Sequence, residues 1–340
     1  MSHIESHPRK ALFGAQSQIA ALPVCEHYAG VEARMRKSLD LQQSMLGPNG
    51  QPVFDVTLDL EDGAPVGGER EQAQLVGELA AGSDNAFDRV GVRVHPFRHP
   101  RFEDDVDTVI KLAGQRLAYV MVPKLADLAD AQLAIDAVEH ARKRHGVAKP
   151  VPVHGLIETH RALQQVNDIA ALPGLESLSF GLMDFVSEHR GAIPASAMTA
   201  HGQFHHPLVR RAKLDIAAAC HAAGRVPSHC VVTEFKDKHA LAHAAEQAAK
   251  EMGYMRMWSI HPDQIRPIVE AFSPVVAEVD EAVDILMAAQ AAQWGPISHR
   301  QVLHDRASFR FHWCVLERAW LTGQPLPQEV IDAFFDEDNT

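Results

Sequence analysis

Two acids, Glu158 and Asp184, each stand just past a short apolar run, the first after Ile157 and the second after Phe180-Gly181-Leu182-Met183. If those runs are neighbouring strands, the two carboxylates sit side by side. Paired hard oxygen donors with nothing soft beside them suit Mg²⁺, which keeps waters and leaves positions open for substrate oxygens. The plainer alternative is that one acid caps a helix or serves an ion pair. Arg93 ends another such run. Its guanidinium would grip a carboxylate through two parallel hydrogen bonds, or else pair with Glu61 or Asp62. Asp59, Glu61 and Asp62 place three acids within four residues. We read some of them as orienting Arg93 or a metal-bound water rather than as direct ligands.

The elements that must position these groups show as alternation. Short β-rich runs occur at Val53–Leu60, Arg89–Val94, Ala118–Val122, Val151–Ile157, Leu175–Phe180, Pro227–Val232 and Tyr254–Ile260, with Ile19–Cys25 as a candidate first strand. The segments between them read as helices. Asp127 is placed to cap one; Pro207 and Gly224 bracket a second; Lys236–Met252 forms a third, closed by Gly253. Strand–helix alternation requires crossovers and a parallel sheet. Eight repeats with no GxGxxG after a strand favour a closed α/β barrel, a (β/α)₈ TIM barrel, over a dinucleotide-binding sheet. After Pro274 the pattern turns to helices only, roughly Asp280–Gln293 and Asp305–Leu321. The expected division is a barrel over residues 1–275 and a C-terminal helical extension over 276–340. The site acids, Arg93, Lys124 and His261 all fall at the C-terminal ends of the expected strands, where a barrel keeps its chemistry.

Composition narrows the function classes. The net charge of −12 and pI near 5.9, with no long basic block, argue against nucleic acid or an anionic membrane as partner. No apolar run approaches the roughly 18 residues that span a bilayer, and the polar opening segment is unlike a signal peptide. Cys25, Cys220, Cys230 and Cys314 show no CxxC spacing and read as buried, reduced thiols of a cytoplasmic protein. Among the 21 histidines there is no HExxH; His201–His206 reads as a surface loop rather than a zinc site. His261 either faces the site or bonds to backbone.

Taken in order, Leu58-Asp59-Leu60-Glu61-Asp62-Gly63-Ala64, Val92-Arg93-Val94, Val122-Pro123-Lys124, Ile157-Glu158-Thr159, Phe180-Gly181-Leu182-Met183-Asp184-Phe185 and Ile260-His261-Pro262-Asp263-Gln264-Ile265 resemble the citrate lyase β-subunit / HpcH–HpaI aldolase superfamily. The resemblance implies a TIM barrel assembled as a homotrimer or homohexamer, with Mg²⁺ on Glu158 and Asp184 and a substrate carboxylate or carbonyl on Arg93. It implies cleavage of a 3-hydroxyacyl-CoA, such as malyl-, citramalyl- or citryl-CoA, into an acyl-CoA and a 2-oxo acid. A CoA-independent aldolase acting on free pyruvate-derived acids, or a noncatalytic paralogue, are the competing readings. In CoA-lyase relatives an acid from the C-terminal extension can serve as the general base, sometimes across a subunit boundary; Asp305 is the candidate, unless it simply caps the helix after it. Departures include His95 in place of the usual asparagine and the insertion Ser187-Glu188-His189-Arg190-Gly191. They bear on substrate identity and on the use of CoA.

Overall fold

The computed structural model describes residues 7–14 and 20–335. Eight parallel strands close into a barrel in chain order: β1 (Cys25–Ala29), β2 (Phe54–Asp59), β3 (Val90–Arg93), β4 (Leu117–Val122), β5 (Val153–Ile157), β6 (Leu175–Phe180), β7 (Val226–His229) and β8 (Arg256–Ser259). β1 pairs with both β2 and β8, which completes the ring. This is the (β/α)₈ barrel expected from the alternation. Seven strands fall within about three residues of their expected places. The first does not. It begins where the expected run Ile19–Cys25 ends, and Ile19 lies outside the described residues.

The reason lies in the barrel's interior. Glu26, Asp55 and Arg256 are fully buried, with Arg256 2.7 Å from Asp55 and 3.6 Å from Glu26. Arg89 adds a two-pronged pair to Asp55 at 2.7 and 2.8 Å. Charges this deep persist only when paired. A strand reading Cys-Glu-His-Tyr-Ala therefore lacks the apolar look of its neighbours.

The outer helices start and stop as their chemistry dictates. The Asp127 carboxylate accepts the Asp130 amide at 3.0 Å, opening Leu128–Arg144. Gly224, at φ 65°, ends Pro207–Ala223 in the left-handed conformation that glycine adopts most cheaply. The helix expected over Lys236–Met252 runs Lys238–Lys250, capped by Asp237.

Beyond the barrel, helices Val276–Ala291, Arg306–Leu321 and Gln328–Phe334 share a second core with the N-terminal helix Pro8–Phe13, built on Leu12, Ile285, Phe309, Trp313 and Phe334. The expectation of helices alone is corrected here. Strands β9 (Ile297–His299) and β10 (Val302–His304) form an antiparallel hairpin between them. Its two turn residues, Arg300 and Gln301, have φ of 47° and 67°, a turn usually signalled by Asn-Gly. Cys25, Cys220 and Cys230 are buried as expected, whereas Cys314 is exposed. The His201–His206 stretch is not a simple surface loop: Gly202–His205 is a helical turn whose Gln203 and Phe204 are buried. Gln203 accepts a 2.6 Å bond from the buried Lys213 ammonium. No described helix is long and apolar enough to cross a membrane.

Candidate active site

The strand ends bring the expected residues to one rim. Glu158 follows β5 directly. Thr159 then caps the next helix, its hydroxyl accepting the Ala162 amide at 3.1 Å, so the chain turns away immediately after the acid. Asp184 lies in the first turn of the short helix Leu182–Ser187, which Gly181 links to β6. A Cβ on Gly181 would stand 2.1 Å from both Cγ and Oε1 of Glu158. Only glycine lets the two strand ends approach this closely.

Glu158 is buried, and its one hydrogen bond comes from the Lys124 amide to Oε2 at 2.5 Å. Burial, followed by the negative charge of Asp184, pushes its carboxyl up to about 8. An anion held this deep beside another needs a cation or a proton. The donor set is all oxygen, with waters free to complete the shell, so Glu158 and Asp184 fit Mg²⁺ better than a thiophilic metal. Among the described residues no three His, Cys, Asp or Glu side chains converge on a metal position, so the candidate is a pair of acids and not a full protein cage.

Arg93, at the end of β3, is clamped by Asp59 at the end of β2, with Nε to Oδ1 at 2.7 Å and the second contact at 2.5 Å. Asp59 is itself held by the Glu61 and Gly63 amides at 2.9 and 2.8 Å. Glu61 lies 3.3 Å from the remaining guanidinium nitrogen, and the Tyr28 ring is 5.3 Å below. Arg93 opposes desolvation with these anions, and their attraction wins: its already high pKa is raised further. It still lines the main cavity. Of the two other acids, Glu61 is almost covered, whereas Asp62 is 62% exposed and reaches Lys124.

Lys124 is the residue that sequence reasoning left without a role. Its ammonium bonds Glu61 at 2.5 Å and Asp62 at 2.9 Å and stands 3.9 Å from Asp184. Its backbone takes the left-handed conformation, φ 50°, unusual for a residue with a side chain. The signal available was its place as a charged strand end in register with the acids.

The main cavity, about 640 Å³, runs from Asp59 and Arg93 past Tyr28 and Trp258 to Arg34 and Lys37 on helix Glu32–Ser44. His27 also lines it. Burial, then the positive charge of His261, pushes His27 down to about 4, so its ring is neutral. Ser259 donates to the His261 carbonyl at 2.9 Å, so His27 Nδ1–H must donate to Ser259 Oγ at 3.0 Å. His261 serves both of the roles considered for it: its Nδ1 caps helix Pro262–Phe272, and its ring lines the cavity. His95 bonds Asp105 at 2.6 Å. Asp305 is exposed and caps helix Arg306–Leu321, accepting the Ala307 amide at 2.9 Å. It does not line the main cavity of its own chain.

A family model described as HpcH/HpaI aldolase/citrate lyase matches residues 44–262. The chain belongs to that family. The match runs from the approach to β2 to the start of the helix after β8, and so spans Asp59, Arg93, Lys124, Glu158, Asp184 and His261, with His27 and Tyr28 before it and Asp305 after it. Membership in this family places the chain among carbon–carbon lyases. An L-malyl-CoA/β-methylmalyl-CoA lyase of Cereibacter sphaeroides is 31% identical over 270 residues, covering 73% of this chain and 84% of the relative. A crystal structure of a citrate lyase from Burkholderia xenovorans matches with a TM-score of 0.81 and 52% identity, covering 98% of this chain and all of the other. A Mycobacterium tuberculosis protein, CitE, solved with magnesium, acetoacetate and coenzyme A, shares the fold at a TM-score of 0.64 and 21% identity, over 88% of this chain and 99% of its own.

Proposed function

We propose that the protein is a Mg²⁺-dependent lyase that splits a 3-hydroxyacyl-CoA of the malyl, citramalyl or citryl type into an acyl-CoA and a 2-oxo acid. The observation that carries the choice of a thioester is the shape of the main cavity. It reaches from Arg93 to Arg34 and Lys37, far more room than a three- or four-carbon acid needs, and it places cations where a phosphorylated carrier would lie. The curated relative named as a malyl-CoA lyase supports the same substrate class.

Arg93 binds the substrate carboxylate through the face that Asp59 leaves free, and the Asp59 clamp fixes its orientation before substrate arrives. Tyr28 and Trp258, with ring centroids 4.4 Å apart, form an apolar wall that excludes water from the reacting carbons. When bound at Glu158 and Asp184, Mg²⁺ supplies Lewis-acid stabilisation of the charge that develops as the carbon–carbon bond breaks. Asp305 takes the proton of the 3-hydroxyl. The C2–C3 electron pair then leaves as the thioester enolate, the hydroxyl carbon becomes the carbonyl of the 2-oxo acid, and the enolate carbon takes a proton.

The test is cleavage of malyl-, citramalyl- and citryl-CoA with Mg²⁺. Release of acyl-CoA and 2-oxo acid, lost in Glu158→Gln, is the expected result. Exchange of pyruvate methyl protons in D₂O without cleavage of any thioester would replace this reading with the free-acid aldolase. Neither activity would overturn both.

A further inference from the structure

We infer that Lys124 is an internal counter-ion of the rim, which competes with the divalent metal for Asp184 and, when displaced, stays held by Glu61 and Asp62. This rests on the reading of Glu158 and Asp184 as the metal pair. Lys124 is joined to both: its main-chain N–H bonds Glu158 and its ammonium stands 3.9 Å from Asp184. The two contacts differ in kind. The amide contact is fixed by the backbone at φ 50°, whereas the ammonium ends a flexible stem. Its bonds to Glu61 and Asp62, at 2.5 and 2.9 Å, are much shorter than its approach to Asp184. The contact with Asp184 is therefore the one that gives way.

Charge explains why a lysine belongs there. Asp59, Glu61, Asp62, Glu158 and Asp184 crowd one rim, and Arg93 and Lys124 are the cationic side chains bonded among them. Without Lys124 the carboxylates of Glu61, Asp62 and Asp184 would repel one another across the mouth of the metal-free barrel. A dication at Glu158 and Asp184 would neutralise the same acids and repel the ammonium. Because Glu61 is shared between Lys124 and Arg93, a swing of the ammonium away from Asp184 also bears on the arginine's second partner. Lys124 is thus a positioning residue that links metal loading to the substrate-binding guanidinium.

The experiment is a titration of the full-length wild type, Lys124→Met, Lys124→Arg and Glu158→Gln with Mn²⁺, with free ion followed by electron paramagnetic resonance. Lys124→Met keeps the stem and the amide bond to Glu158 while removing the charge. It should bind Mn²⁺ about tenfold tighter than wild type, since a like charge within a few ångströms has gone. Lys124→Arg should stay within about threefold of wild type, and Glu158→Gln should bind far more weakly. If Lys124→Met fails to fold, Lys124→Gln takes its place. Equal or weaker binding by the charge-deleted variant, with Glu158→Gln impaired, overturns the counter-ion inference alone. Wild-type binding that is indifferent to Glu158→Gln overturns the metal pair and this inference with it.

Discussion

A carboxyl buried against a second carboxylate invites a proton unless a metal arrives. Glu158, raised to about 8 in the metal-free protein, makes this a competition with a definite sign. The metal needs the deprotonated acid, so affinity is full above about pH 8 and falls as pH drops. Below that point Mg²⁺ binding should weaken by roughly tenfold per pH unit, with release of close to one proton per ion. Calorimetry in buffers of different ionisation enthalpy reads both; affinity flat between pH 6 and 8 would rule it out. The stability consequence follows the same shift. The folded, metal-free protein holds this proton between about 4.5 and about 8, where the unfolded chain does not, so its stability declines as pH rises through that window. A second residue-scale expectation concerns Gly181. An alanine Cβ, 2.1 Å from Glu158 Cγ, must push the acid aside. Gly181→Ala should lower kcat at least a hundredfold and weaken Mg²⁺ binding, while circular dichroism shows an intact barrel. Wild-type kinetics would mean that the strand ends can separate at little cost.

At the scale of elements, strands buried on both faces write themselves into the chain as apolar runs, which is why β2 to β8 were legible. With the strands placed, Arg93, Glu158 and Asp184 followed, because a strand end is a position that counting can find. β1 was misplaced because its Glu26 and His27 look wrong for a strand until their partners on the adjoining strand β8, Arg256 and Ser259, are known. Those contacts join residues more than two hundred positions apart, and no local pattern reports them. Lys124 was visible as a charged strand end, but its role is relational, set by side chains that follow two other strands, β2 and β6. The hairpin before Asp305 escaped notice because Arg300 and Gln301 take positive φ without glycine or asparagine. Asp305 itself has two readings that a single substitution separates. Asp305→Ser keeps an oxygen to accept the Ala307 amide, so stability should change by less than about 0.5 kcal/mol. Loss of a general base should nevertheless lower kcat by about 10²- to 10⁴-fold. A variant with full activity and an unchanged melting temperature would leave Asp305 as a cap and nothing more.

At the scale of the whole molecule, Asp305 and the main cavity belong to different parts of the chain. Every residue lining the main cavity lies between His27 and Asp263, so none belongs to the extension that carries Asp305. In one chain Asp305 is occupied with its helix, and the apolar side chains beside it, Val302, Leu303 and Phe311, are 56, 73 and 62% exposed. As the base, Asp305 would serve the barrel mouth of another copy, with this exposed apolar edge seated against that copy. The arrangement can be tested by complementation, because Glu158→Gln disables the site of its own subunit and Asp305→Ser disables the site of its neighbour. Neither homo-oligomer should turn over. In a closed ring of randomly mixed subunits, a site works when its own chain carries Glu158 and the neighbour supplies Asp305, which happens for about a quarter of the sites at equal mixing. Co-expression of the two variants, followed by assay of the purified hybrid, should therefore restore about a quarter of wild-type kcat. With a base acting within its own chain, every subunit of the hybrid would still lack one essential group, and mixing would restore nothing.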